Sequence, residues 1–148
     1  MDILAWLILR VIYAWMFLYP LKSLLKDWSS TKNTVALLIP ICAPFCAVLM
    51  VIVMIAGAFM ILLGFYAKIA GFMLLIYCLF GAVVHYRLAA QAAALKLSGS
   101  ASKADQKALQ QAIGLALVGN ITSAQKNIVL GAVGCFFMLM GSGPLSLM

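Results

Sequence analysis

The sequence has no glutamate, only three aspartates and a single histidine, and 9% of its 148 residues are charged. With so few polar side chains, no nucleophile–base pair, phosphate-binding loop or metal-ligand cluster is visible, so catalysis by this chain alone is not expected. Its four cysteines, Cys42, Cys46, Cys78 and Cys135, lie in apolar segments, and none shows the Cys-x-x-Cys spacing of a zinc or dithiol site. No internal repeat is present, which weakens a reading as a carrier of small solutes or lipids. The N-terminus lacks the basic stretch and the small-residue cleavage site of a secretory signal, because Asp2 stands where the basic residues belong. The first hydrophobic segment is therefore expected to remain as a span.

What the chain has in excess is apolar surface. Hydrophobic residues make up 67% of it, whereas a soluble domain has about half its residues apolar and about a quarter charged. A chain of this length cannot bury that much apolar surface in water. It is predicted to be an integral membrane protein, and a helical one, because a helix satisfies every backbone polar group within a single segment. Each span takes about 20 apolar residues, which leaves room for four spans and no separate soluble domain. The net charge of +7 does not indicate nucleic acid. The basic residues stand in loops beside hydrophobic segments, the pattern that orients a membrane protein, and the lipid bilayer with its anionic headgroups is their expected partner.

The hydropathy pattern predicts an all-α, polytopic four-transmembrane-helix bundle forming one domain over 1–148. Spans are expected at about 3–25, 45–64, 67–86 and 126–147, with an amphipathic interfacial helix at about 103–118 before the last one. The polar residues of 26–34 read as a loop. The apolar run 35–64 would make a helix roughly 45 Å long, too long for one span and too short for two. Pro40 and Pro44 divide it into a short interfacial or re-entrant helix at 35–43 and the second span. Gly64-Phe65-Tyr66 reads as a tight connection, and Ser98-Gly99-Ser100 as a break after an Ala-rich stretch. Ser102-x-x-Asp105 resembles a capping box, and Gly119-Asn120 a stop. Lys22, Lys26 and Lys32 fall on the same side as Arg87, Lys96, Lys103, Lys107 and Lys126. The positive-inside rule places that side in the cytoplasm and both termini outside.

Few residues stand out as sites. Arg10 lies inside a span, where a charge costs roughly 2.5–3.5 kcal/mol on insertion scales. It either contacts an anion or a quinone head, or snorkels to the nearby interface. His85 ends the third span and is either a proton donor near a quinone or an interfacial histidine bonded to a loop. No metal site is expected. Cys42 and Cys46 are four apart and can form a thiol pair, although buried cysteine is usually a small hydrophobe. The nine methionines are scattered and read as packing residues. Gly57, Gly64, Ala67, Gly71, Gly131 and Gly134 supply small-residue faces for helix contact.

Several stretches together resemble the DoxX family of small four-helix membrane proteins. The first is Arg10-Val11-Ile12-Tyr13-Ala14-Trp15-Met16-Phe17-Leu18-Tyr19 followed by Lys22, and the second is the glycine-bearing Gly57 to Gly64 run. The third, the most specific, is Lys126-Asn127 with the tail Gly141-Ser142-Gly143-Pro144-Leu145-Ser146-Leu147. Two departures stand out. Met54 lies near the position where many members carry a glutamate, and Met148 replaces an aspartate that often ends the tail. If the glutamate carries proton chemistry in the family, this chain lacks it. The resemblance implies an accessory subunit of a bacterial redox or respiratory complex in the inner membrane, working beside other membrane subunits. A quinone is the candidate cofactor, with Arg10, Tyr19 and His85 near its head. Lys22, Tyr19, Lys126 and Asn127 otherwise read as interface anchors, and only the resemblance raises them to candidate ligand contacts. The alternative reading is a non-catalytic scaffold or assembly factor.

Overall fold

A computed structural model describes residues 2–97 and 102–144. It is all-helical, with no strand among the described residues. The order is α1 (Asp2–Leu18), α2 (Leu21–Lys26), α3 (Trp28–Ala36), α4 (Ala43–Leu63), α5 (Ala67–Ala93) and α6 (Lys103–Met140). Four stretches are long and apolar enough to cross a membrane: Ile3–Lys26, Ala43–Leu63, Ala67–Ala93 and Lys103–Met140.

The first apolar stretch, expected at about 3–25, is found at Ile3–Lys26, but it is interrupted: α1 stops at Leu18, and Pro20 opens α2 as its N-cap. The 26–34 segment is helical, where a loop was expected. Asp27 ends α2 and caps α3 by accepting a hydrogen bond from Ser30 N at 3.1 Å, and Thr31 Oγ1 donates to the Leu24 and Asp27 carbonyls. These side chains, read as loop formers, instead satisfy the helix ends. The short helix expected at 35–43 is absent. After Ala36 the chain turns until α4 begins, with Pro44 in its first turn. The third span runs past 86 to Ala93.

The amphipathic segment 103–118 is helical, but it is not separate from the last span. Gly119-Asn120 does not stop it, and α6 continues for 38 residues. That is ~57 Å, so α6 projects well beyond a hydrocarbon core of ~30 Å. Ser102 caps its start, accepting from Asp105 N at 3.2 Å. Replacing Ser102 with Ala is expected to cost about 1 kcal/mol locally, visible as faster amide exchange at 103–107 with 126–140 unchanged. The Ser98-Gly99-Ser100 break and the Leu145-Ser146-Leu147 part of the tail lie outside the described residues.

Helices α5 and α6 form the most extensive contact and run antiparallel. Gly71 meets the backbone of Gly134 and Met138, Gly131 meets Cys78, and Gly81 meets the Asn127 side chain. Helix α4 packs on α5 through Gly57 and Leu74, and α1 closes the bundle. The core is built from Tyr13, Phe17, Met54, Ala58, Ile61, Leu74, Cys78 and Phe137. Tyr13 is buried yet paired, since its hydroxyl donates to the Leu130 carbonyl at 3.0 Å.

Candidate functional site

The residues singled out in the sequence separate into two groups at opposite ends of the bundle. Arg10 belongs to the end where α4 stops. It is only 5% exposed. Its Nε donates to the Ile61 carbonyl at 2.9 Å, and one terminal nitrogen donates to the Leu62 carbonyl at 2.6 Å. The last turn of a helix leaves carbonyls without intrahelical partners, and a cation there also opposes the negative end of the helix dipole. Gly64 terminates α4 with φ +72°, and a Cβ on it would sit 2.7 Å from the guanidinium. The Ser142 hydroxyl donates to the Gly64 carbonyl at 3.3 Å. Arg10, Gly64 and Ser142 therefore build one helix-end lock. Trp6 lies against Gly143 at the same end.

The second group lines a cavity of about 310 Å³ to which all six helices contribute. Its walls are apolar for the most part, including Phe17, Met50, Met54 and Leu130, and its polar groups include His85, Lys126 and Asn127. Asn127 is 8% exposed, and its amide has no hydrogen-bond partner among the described residues. Gly81 makes room for it, since a Cβ there would lie 2.8 Å from the amide nitrogen. Lys126 also borders a neighbouring depression with Trp15, Tyr19 and Pro20. Tyr19 itself is 73% exposed, and Lys22 is exposed and lines neither space. Arg10, Tyr19 and His85 are thus not brought around one point.

His85 is oriented by a residue that the sequence offered only as a helix stop. Its Nδ1 lies 3.0 Å from Asn120 Oδ1, and Asn120 Nδ2 donates to the Ala116 carbonyl at 2.9 Å. With that amide nitrogen engaged, Oδ1 is the atom facing the ring, so Nδ1 carries the hydrogen and donates. In the neutral ring Nε2 is then an acceptor. The cavity offers amide and ammonium donors from Asn127 and Lys126 and an imidazole acceptor from His85. This set suits a head bearing carbonyl or hydroxyl oxygens.

The thiols show no such convergence. Cys42 caps α4, Cys46 lies one turn inside it, and both are free. Among the described residues no group of three or more His, Cys, Asp or Glu side chains is placed to hold a metal ion.

A model of the DoxX family matches residues 5–87, more than half of the chain. The match covers α1 to most of α5, including Arg10 and His85 but neither Lys126-Asn127 nor the glycine tail. No curated protein and no solved structure matches the chain. The family match, the four membrane-spanning helices and the all-helical bundle agree, and the chain belongs to the DoxX family.

Proposed function

We propose that this chain is an accessory membrane subunit of a bacterial redox complex, and that its cavity receives the oxygen-bearing head of a lipid-soluble carrier, a quinone. The observation that carries this reading is the Asn127 amide, nine-tenths buried and facing an otherwise apolar cavity beside His85 and Lys126. No fully buried side-chain nitrogen or oxygen lacks a partner among the described residues, so the Asn127 amide is open to the cavity, where a carbonyl oxygen would accept from it. A quinone supplies electron and proton transfer when bound. The chain's part is to donate hydrogen bonds from Asn127 and Lys126 and to hold His85 Nε2 ready to accept a hydroxyl proton. Arg10 has no place in this site, because its guanidinium is committed to the end of α4.

The chain is proposed to sit in the inner membrane with the Lys22–Lys32 and Arg87–Lys126 side in the cytoplasm and the termini in the periplasm. The scaffold reading relied on glycine faces offered to a partner. Gly57, Gly71, Gly131 and Gly134 face other helices of this same bundle, so they carry no argument for a partner surface.

A mild-detergent pull-down of the tagged chain at native level, with an absorption spectrum of the eluate, tests the assignment. A co-eluting subunit with haem or flavin is expected. A colourless eluate holding this chain alone, or only non-redox membrane proteins, would shift the assignment to the scaffold or carrier alternative.

A further inference from the structure

We infer that the molecule whose head enters the cavity carries a hydrocarbon tail, and that this tail leaves the bundle sideways between α4 and α5. The inference rests on the cavity being the head site. A second hollow of about 210 Å³ adjoins the cavity and shares Val35, Met50 and Tyr77 with it. Its remaining wall includes Leu49, Val53, Ile76 and Phe80, and no charged side chain lines it. Leu49, Ile76 and Phe80 are exposed on the bundle surface, so the hollow opens toward lipid. The two spaces differ in chemistry as the two ends of an amphiphile do. One holds His85, Lys126 and the unpartnered Asn127 amide, and the other is hydrocarbon throughout.

Tyr77 stands where the two spaces meet, and its hydroxyl donates to Met54 Sδ at 3.3 Å.

The test uses the full chain in phosphatidylcholine nanodiscs and a decyl-tailed ubiquinone analogue carrying a diazirine on the tail, with labelled positions read by mass spectrometry. Labelling is expected at Leu49, Val53, Ile76 and Phe80, and unlabelled decylubiquinone in excess should suppress it. Ile76→Trp fills the hollow from its lipid-exposed side and should cut that labelling about tenfold, a loss of one decade in affinity. Competable labelling confined to the outer faces of α1 or α6 would overturn the tail path and leave the head site standing. If no labelling is competable anywhere, the head site fails together with the tail path.

Discussion

Arg10→Leu is expected to destabilise the folded bundle by about 2–3 kcal/mol, the range for losing hydrogen bonds to a charged donor and leaving buried acceptors unpaired. The substitution removes the guanidinium donors to the Ile61 and Leu62 carbonyls, while the Gly64 N–H still reaches the Ile61 carbonyl at 3.1 Å, so the loss falls mainly on Leu62. Arg10→Lys should recover only part of the loss. An ammonium is a point donor on a flexible stem and cannot reproduce the planar fork that reaches both carbonyls. The midpoint of SDS-induced unfolding, followed by tryptophan fluorescence, measures the effect. An unchanged midpoint for Arg10→Leu would mean that the guanidinium is spent on headgroups and that α4 ends without its help.

The second large effect is at the α5–α6 crossing. Gly71→Ala would place a Cβ 2.5 Å from Met138 N and 2.6 Å from the Gly134 carbonyl oxygen. Both are backbone atoms of a helix and neither can rotate away. The helices must separate along their most extensive contact, and a loss of about 3 kcal/mol is expected, the upper end for overpacking a well-filled interior. Gly131→Ala is the internal comparison. Its Cβ would lie 3.4 Å from Cys78 Cβ and from Leu75 Cδ1, which are side-chain atoms at close to ordinary contact. It should change stability by less than about 1 kcal/mol, since an exchange of Gly for Ala in a helix also gains propensity. Equal losses for the two variants would show that backbone proximity at Gly71 is not what holds α5 and α6 together.

How far the sequence could be read depends on how local each signal is. The all-helical, four-span class follows from hydropathy alone, because a long uncharged stretch has few other stable states in lipid. The Pro40–Pro44 division of the long apolar run was also legible, since proline acts on its own turn. The errors came where a residue type with two habits was assigned the wrong one. The polar residues of 26–34 read as loop formers, yet Asp27 and Thr31 satisfy helix ends there. Gly119-Asn120 was read as a stop, yet Asn120 donates back to Ala116 and α6 runs on. A glycine costs about 1 kcal/mol in a helix, a cost that a 38-residue helix packed on α5 absorbs.

The site was legible in its parts and not in its grouping. His85 is legible as the one histidine, at the end of a span, and Lys126-Asn127 only through the family resemblance, but their convergence depends on the antiparallel register of α5 and α6. Gly81 opposite Asn127 and Asn120 beside His85 are contacts across 46 and 35 positions of chain, which periodicity within one helix does not reveal. Arg10 carried the strongest local signal, a charge inside a span, and that signal reports burial without saying what the charge touches. Its partners lie 51 and 52 residues away.

The most direct test of the account compares quinone extracted per mole of chain from wild-type and Asn127→Leu pull-down eluates. Leucine is close to isosteric with asparagine and keeps the α6 packing, but it removes the amide that faces the cavity. The account predicts bound quinone in the wild-type eluate and a drop of about tenfold in the variant, equivalent to one hydrogen bond from a desolvated site, with the same amount of folded chain recovered. Equal quinone content in both eluates would contradict the assignment of the His85–Lys126–Asn127 cavity as the head site.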